Sequence, residues 1–280
     1  MKTLIYTVAF GDDINFKLAE NLFSSLRAQG YEGDVAAVCD RKHDFSDKNA
    51  RVFIPNSPER PVLHKMAIPA AVAKTYDLIL FLDADTGALQ PVDSVFALGD
   101  DKILLSRLFE FRLRNDRYNL KVLSEQEQKL VSDGGLIEFE SRSVNTGTML
   151  IPGPQYAAFA AMVTDAWQGV QKPKYHPGDQ PVIQALMVRG LFKYDYFPDG
   201  MVIFPQAERF RYPTTSTVFA HFAGYPSGIE GKEKCLAAIQ DYPNELKRVA
   251  ERFARDKSRL EVRKARAKGA EAGSAPEVEA

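Results

Sequence analysis

Two aspartates stand one residue apart directly after an apolar run of the sequence. Residues 78–82 read LILFL, and Asp83 and Asp85 follow with only Ala84 between them. Charges beside a protein core are costly unless a partner compensates them. Two hard oxygen ligands at this spacing favour a divalent metal ion as that partner.

Three chemistries and one structural alternative fit this carboxylate pair. In a haloacid-dehalogenase phosphatase the first aspartate is the nucleophile, but that motif requires Thr or Val where Gly87 stands and normally follows the first strand. A calcium loop of the D-x-D-x-D-G type fails because Gly87 and Ala88 occupy its fifth and sixth positions. A nucleotide-sugar enzyme uses such a pair to hold a metal ion on a diphosphate. The structural alternative is two solvated turn aspartates.

A third candidate ligand follows another apolar segment. The stretch VFAHFAG places His221 near the end of an apolar run, and Gly224 stands three residues later. An imidazole can complete a metal site, and a glycine lets the backbone approach a phosphate closely. The alternative is an ordinary core or surface histidine.

Two further turns carry side chains that could contact a sugar. In SVNTGTMLI, Asn145 and Thr146 stand just before a predicted strand, where the amide could face sugar hydroxyls or serve an ordinary turn. In GDQPVIQAL, Asp179 and Gln180 stand at the start of a predicted helix. They are either a simple helix cap or polar groups beside a developing cationic sugar carbon.

The elements that must position these residues alternate between strands and helices. Continuous apolar runs that suit strands covered on both faces lie at 4–10, 34–39, 51–55, 78–82, 102–106, 147–151 and 218–222. Helical patterns cover residues 14–29, 65–75, 155–170 and 181–190. This alternation predicts an α/β sandwich with a mostly parallel central sheet flanked by helices.

Such a sheet binds its ligands beyond the carboxyl ends of its strands. Asp83 and Asp85 follow a predicted strand directly, as do the turn AFGDD after the first strand and Asp40 after the second. We therefore expect these segments to meet at one edge of the sheet. Residues 109–135 are polar and irregular, and we predict that they form an excursion over the sheet's edge.

The overall composition is that of an ordinary globular protein. Of 280 residues, 45% are hydrophobic and 26% are charged, and the formal net charge of −1 argues against a nucleic-acid binder. Cys39 and Cys235 lack metal-ligand spacing and are predicted to be reduced thiols of a cytoplasmic protein. The N-terminal segment is predicted to be a strand rather than a signal peptide, and no apolar run is long enough to span a membrane.

Taken in order, five segments resemble glycosyltransferase family 8, the glycogenin-like and bacterial lipopolysaccharide galactosyl- or glucosyltransferase group. They are TVAFGDDINFKLAENLFSSLR, HKMAIPAAVAKTYDLILFLDADTGAL, VNTGTMLI, GDQPVIQAL and HFAG. Their order and approximate spacing agree over residues 3 to about 225. The resemblance implies a GT-A type nucleotide-sugar-binding fold, a nucleoside-diphosphate sugar donor (usually a UDP-sugar), Mn²⁺ or Mg²⁺ as cofactor, and retention of anomeric configuration.

The resemblance also implies roles for individual residues. The expected metal ligands are Asp83, Asp85 and His221. The expected contacts to the donor nucleotide and its phosphates are Ala9, Phe10, Gly11, Lys65, Asp83 and Gly224. The expected catalytic groups are Asn145, near the donor sugar, and Asp179 with Gln180, on the sugar's β face.

One position departs from the family pattern. The family usually has a lysine three residues after the glycine of His-x-x-Gly, whereas Ser227 stands at that position. The nearest lysines are Lys232 and Lys234. We expect the diphosphate contact either to be rebuilt from Lys232 or Lys234, or to be weaker than in the family.

The sequence thus predicts a metal-dependent hexosyltransferase that uses a nucleotide sugar and a carbohydrate or glycolipid acceptor. Two alternatives stay open: a protein that binds nucleotide sugar without turnover, and a sugar-nucleotidyltransferase. The second requires a basic, glycine-rich loop after the first strand, and AFGDDINF has one glycine and no basic residue.

The C-terminal part differs in charge from the remainder. Residues 246–268 contain ten Lys or Arg and three Asp or Glu. We predict a GT-A catalytic domain over 1–240, a basic helix over 241–268 and a disordered tail over 269–280. The helix would either rest on an anionic membrane, as a peripheral contact at the inner membrane face, or pack against protein.

Overall fold

The computed structural model describes residues 1–55, 61–112, 122–132, 142–169, 178–205, 214–223 and 228–242, together with Asn244, Arg248, Glu251 and Arg255. The strands in these ranges are β1 (Thr3–Ala9), β2 (Asp34–Cys39), β3 (Arg51–Phe53), β4 (Leu78–Leu82), β5 (Thr86–Ala88), β6 (Ile103–Arg112), β7 (Arg142–Pro152), β8 (Tyr194–Tyr196), β9 (Val202–Ile203) and β10 (Phe219–His221). The helices are α1 (Asp13–Ala28), a 3₁₀ helix (Pro61–Met66), α2 (Ala70–Ala73), α3 (Asp93–Phe96), α4 (Glu125–Ser132), α5 (Gly153–Gly169), α6 (Asp179–Val188) and α7 (Ile229–Gln240).

The central sheet has seven strands in the order β3–β2–β1–β4–β7–β6–β8. Strand β7 is antiparallel to both of its neighbours, β4 and β6, while the other pairs are parallel. The mostly parallel sheet predicted from the sequence is therefore confirmed. Because β7 runs against the rest, its beginning lies at the edge where the other six strands end.

Helices cover both faces of this sheet. Strand β4 alternates between the two cores, with Leu80 packed on the side of α1 and Phe81 on the side of α5 and α6. Both side chains are fully buried, which explains why the strand is an unbroken apolar run. The chain can then become polar only where β4 ends, at Asp83.

A second, smaller sheet stands beyond the end of β4. Its three strands have the order β5–β10–β9, with β10 antiparallel to β5 and parallel to β9. Helix α7 covers it, packing Cys235 and Ile239 against Ala220 and Phe222. The apolar run at 218–222 predicted strand β10 but not its place in a separate sheet.

Three sequence predictions of local structure are wrong. Asn145 and Thr146, predicted to stand just before a strand over 147–151, lie within β7, which begins at Arg142. The helix predicted over 65–75 is instead a 3₁₀ helix followed by the short α2, because Pro69 disfavours helical backbone in the residue before it. Part of the stretch predicted as irregular is regular, since β6 extends to Arg112 and α4 follows.

Helix α4 has a capping box that the sequence displays as S-x-x-E. The backbone N–H of Ser124 donates to Glu127 Oε2 at 2.7 Å, and the N–H of Glu127 donates to Ser124 Oγ at 3.3 Å. The rest of the predicted excursion lies outside the described residues.

Among the described helices, none combines the length and the apolar character that crossing a membrane requires. The predicted basic helix over 241–268 and the tail over 269–280 lie outside the described residues, apart from 241–242 and a few isolated positions. The three-part division of the chain therefore stays a prediction.

Candidate metal centre

Three side chains converge beyond the carboxyl end of β4. His221 Nε2 lies 3.1 Å from Asp85 Oδ1 and 3.6 Å from Asp83 Oδ2. One ligand atom from each residue can be chosen so that all three lie within 4.8 Å of one another. The sequence prediction that Asp83, Asp85 and His221 share one site therefore agrees with their placement.

The pairing of β5 with β10 creates this convergence. Asp83 and Asp85 lie in the short connection between β4 and β5, and the N–H of Phe222 donates to the carbonyl of Asp85 at 2.9 Å. His221 lies directly opposite Thr86, the first residue of β5. Two segments more than 130 residues apart in sequence thus place their polar groups together.

The cluster is open on the carboxylate side and closed on the imidazole side. The side chains of Asp83 and Asp85 are 30% and 32% exposed, whereas that of His221 is 2% exposed. Burial alone would lower the pKa of His221, but the carboxylates of Asp85 and Asp83 outweigh it and raise that pKa. Burial would raise the pKa of Asp85, but His221 outweighs it and lowers that pKa.

The residues present fit a divalent cation. Two carboxylates and an imidazole are ligands that Mn²⁺ accepts, and the exposed carboxylate side leaves room for further oxygen ligands. Gly147 fits the same interpretation, because an added Cβ would lie 2.6 Å from His221 Nδ1 and 2.7 Å from Asp83 Oδ2. Only a residue without a side chain leaves space for the imidazole and the carboxylate together.

Lys65 joins this cluster to a second carboxylate. Its Nζ lies 3.0 Å from Asp83 Oδ1 and 3.0 Å from Asp179 Oδ2. Burial would lower the pKa of Lys65, but the carboxylates of Asp179 and Asp83 outweigh it and raise that pKa. A fixed positive charge therefore separates the predicted metal ligand Asp83 from the predicted catalytic group Asp179.

Two buried tyrosines hold the backbone of Lys65. The hydroxyls of Tyr6 and Tyr156 both donate to the carbonyl of Lys65, the second at 3.2 Å. Tyr156 also accepts the N–H of Ile68 at 3.2 Å. Sequence reasoning missed this support, because the three segments are far apart and no local pattern connects them.

The start of β7 is irregular where it meets the site. Its register with β6 shifts so that Leu105 pairs with Met149 while the next residue, Ser106, pairs with Asn145. Asn145 Oδ1 accepts the N–H of Gly147 at 2.8 Å, and the carbonyl of Gly147 accepts the N–H of Asp83 at 2.7 Å. The carbonyl oxygen of the Asn145 side chain therefore holds the backbone at this irregularity of β7.

Thr146 is a site residue to which the sequence prediction assigned no role. Its side chain is 2% exposed, and its hydroxyl donates to Asp179 Oδ2, the same oxygen that Lys65 contacts. Asp179 begins α6, with Gln180 half-buried after it. Two donors thus hold one oxygen of Asp179.

Replacing Thr146 with valine should lower the free energy of unfolding by about 1.5 kcal/mol, since a hydrogen bond to a charged group contributes roughly 1.5–3 kcal/mol. Urea unfolding measures the change. Thr148→Val is the matched control, because Thr148 Oγ1 is buried with no hydrogen-bond partner in the described part of the chain. Equal unfolding midpoints for the two variants would show that the Thr146 hydroxyl does not hold Asp179.

The loop after β1 reaches the same edge of the sheet. Ala9 is fully buried, whereas Gly11 is exposed, with a φ of +80°. The N–H of Gly11 donates to Asp40 Oδ2 at 2.8 Å, which joins the loops after β1 and β2. Phe10 stacks on His64, the neighbour of Lys65, with ring centroids 3.7 Å apart.

The predicted phosphate-binding segment is only partly described. Gly224 and Ser227 lie outside the described residues. Lys232 lies half-buried in the first turns of α7, and Lys234 pairs with Glu230 at 2.6 Å. A role for Gly224 or Lys232 therefore stays a prediction.

No protein-family model matches the sequence, and no curated protein matches it significantly. Among solved structures, the chain is similar to the bifunctional glycosyltransferase WbbM, with a TM-score of 0.51 and 13% identity over 87% of this chain and 51% of that one. It is similar to the glycosyltransferase GlyE of Streptococcus pneumoniae TIGR4, with a TM-score of 0.51 and 11% identity over 90% of this chain and 64% of that one.

An active-site mutant of LgtC also matches, with a TM-score of 0.50 and 16% identity over 84% of this chain and 95% of that one. The chain thus spans about half of the WbbM chain and nearly all of the LgtC chain. At these identities the likeness establishes the fold, and the α/β fold of GT-A type predicted from the sequence is confirmed.

Proposed function

We propose that this chain is a metal-dependent retaining glycosyltransferase that moves a hexose from a nucleoside-diphosphate sugar, a UDP-sugar, to a carbohydrate or glycolipid acceptor. The observation that carries the proposal is the convergence of Asp83, Asp85 and His221 within 4.8 Å at the carboxyl edge of the sheet. The fold shared with solved glycosyltransferases supports it.

In this proposal Asp83, Asp85 and His221 hold Mn²⁺ or Mg²⁺. Such an ion, when bound, would supply positive charge that stabilises a diphosphate leaving group. The carboxylates are partly exposed to solvent, while the imidazole that contacts them is buried and fixes their position. A site that binds a ligand from solvent needs both accessible ligand atoms and a fixed support for them.

The remaining predicted residues would position the donor. The loop of Ala9, Phe10 and Gly11 would hold the nucleotide, since it ends β1 beside the 3₁₀ helix that carries Lys65. Lys65 would add positive charge next to the diphosphate. Its carbonyl is fixed by the Tyr6 and Tyr156 hydroxyls, so its backbone is in place before a donor binds.

Asp179 would stabilise the sugar carbon as it becomes cationic. Its Oδ2 is held by Lys65 and Thr146, and its Oδ1 would face the sugar. Asn145 and Gln180 would contact the sugar beside it. A carboxylate in this position lowers the energy of an oxocarbenium-like transition state through its charge.

The alternatives make different predictions for the same assay. Purified protein incubated with Mn²⁺ and a panel of nucleotide sugars should release nucleotide from a UDP-sugar, and EDTA should stop the release. Binding of UDP-sugar without any release would favour a binding protein instead. Formation of pyrophosphate from a sugar phosphate and a nucleoside triphosphate would favour a sugar-nucleotidyltransferase.

A further inference from the structure

Thr86 faces His221 across the two strands of the small sheet. The two residues are directly opposite in the antiparallel pair of β5 and β10. The N–H of Phe222 donates to the carbonyl of Asp85, so the hydrogen-bonded pairs of this ladder alternate with the pair that contains His221 and Thr86. In such a non-hydrogen-bonded pair the Cα atoms are about 4.5 Å apart and the side chains lie close together.

Both side chains carry a buried polar atom that forms no hydrogen bond within the described residues. Thr86 is fully buried and His221 is 2% exposed. Neither Thr86 Oγ1 nor His221 Nδ1 has a hydrogen-bond partner in the described part of the chain. Buried polar atoms normally form hydrogen bonds, so two such exceptions on facing residues require an explanation.

The chemistry of a metal-bound imidazole explains the two buried polar atoms. When Nε2 coordinates a cation, the imidazole is neutral and its proton lies on Nδ1, which then needs an acceptor. Asp83 and Asp85 both lie nearer Nε2, at 3.6 Å and 3.1 Å. The strand register places the hydroxyl oxygen of Thr86 beside the imidazole.

We propose that Thr86 is the positioning residue of the metal centre: its Oγ1 accepts the Nδ1–H of His221 when Nε2 holds the cation. This inference rests on the proposed metal site and assigns a role to a residue that the sequence prediction passed over. Thr86 acts through His221 and does not itself touch the cation.

The test is the affinity for Mn²⁺, measured by calorimetry on the full chain without any sugar donor. Thr86→Val, which keeps the shape and removes the hydroxyl, should weaken Mn²⁺ binding about tenfold, the lower end of the range for such supporting groups. Thr86→Ser, which keeps the hydroxyl, should bind within about threefold of the unchanged protein. Thr7→Val is the matched control, because it removes another buried threonine hydroxyl, on β1, that likewise has no hydrogen-bond partner among the residues the structure describes.

Metal-free stability separates this role from a merely structural one. Without a cation the Thr86 hydroxyl has no hydrogen-bond partner in the described ranges, so Thr86→Val should melt at the same temperature as the unchanged protein, or higher. A lower melting temperature for Thr86→Val together with unchanged Mn²⁺ affinity would overturn the proposal in favour of a packing role.

Other results would overturn it as clearly. Equal weakening by Thr86→Val and Thr86→Ser would show that packing, not the hydroxyl, matters. Weakening by Thr7→Val as large as that by Thr86→Val would show that the effect is not specific to the hydroxyl opposite His221. An unchanged protein that binds no Mn²⁺ would overturn the metal site itself, whereas normal binding by both the unchanged protein and Thr86→Val would overturn only the role of Thr86.

Discussion

Asp85→Asn should lower the rate of Mn²⁺-dependent nucleotide release from a UDP-sugar by about a thousandfold. Asparagine keeps the shape of the side chain and removes its charge. Metal ions stabilise transition-state charge by several kcal/mol, and each 1.36 kcal/mol corresponds to about tenfold in rate. A variant that loses the ion should therefore lose several powers of ten.

Of the three proposed ligands, Asp85 gives the most specific substitution test, for electrostatic reasons. Its pKa is lowered because His221 outweighs the effect of burial, so it is a carboxylate at neutral pH. Asp83, by contrast, also contacts Lys65 at 3.0 Å, and its replacement would disturb that ion pair as well. Asp85→Asn changes the charge of the cluster while Lys65 keeps both of its carboxylate partners.

Two controls make the result specific. Asp77→Asn places the same substitution at the other end of β4, where Asp77 Oδ2 accepts the N–H of Lys2, and it should leave nucleotide release unchanged. A second readout is thermal stability, because a ligand at 100 times its Kd stabilises the folded state by about 2.7 kcal/mol. Mn²⁺ should raise the melting temperature of the unchanged protein and of Asp77→Asn. Release by Asp85→Asn at rates within about threefold of the unchanged protein would contradict the metal assignment.

The carboxylates could be predicted from the sequence because they follow a strand that is buried on both faces. Leu80 and Phe81 pack into opposite cores, so the strand must be apolar throughout. The aspartates at its end are therefore easy to recognise in the sequence. His221 was predictable on the same grounds, as the polar end of β10. The sequence is sufficient to predict a site residue where a polar side chain marks the end of a buried strand.

Contacts between distant segments could not be predicted in this way. An apolar run carries no information on strand direction, so the sequence predicts a strand at 147–151 but not that β7, which delivers Asn145 and Gly147 to the site, runs antiparallel to its neighbours. The support of Lys65 by Tyr6 and Tyr156 joins three separate segments. Only the folded chain brings these groups within hydrogen-bond distance.

Replacing Gly147 with alanine should damage the metal centre although it replaces none of the proposed ligands. The φ of Gly147 is not positive, so alanine can adopt its backbone conformation, and the available space decides the outcome. The added Cβ would lie 2.6 Å from His221 Nδ1 and 2.7 Å from Asp83 Oδ2, which is closer than real contacts allow. Either the imidazole or the carboxylate must therefore move.

Neither group can move freely. The imidazole is 2% exposed and held between the two aspartates, and Asp83 is anchored through Lys65 and through its own N–H on the carbonyl of Gly147. Overpacking of this kind costs about 1–3 kcal/mol of stability. We expect Gly147→Ala to unfold at a lower urea concentration and to bind Mn²⁺ at least about tenfold more weakly, since ligand geometry is displaced.

Gly169→Ala is the matched control for this substitution. Gly169 ends α5, and an added Cβ there meets no atom of the described residues within 4 Å. Alanine should be neutral or stabilising by up to about 1 kcal/mol in that position, with Mn²⁺ affinity unchanged. If Gly147→Ala bound Mn²⁺ as tightly as Gly169→Ala, then His221 and Asp83 would not need their present positions to hold the ion, and the proposed ligand set would have to be revised.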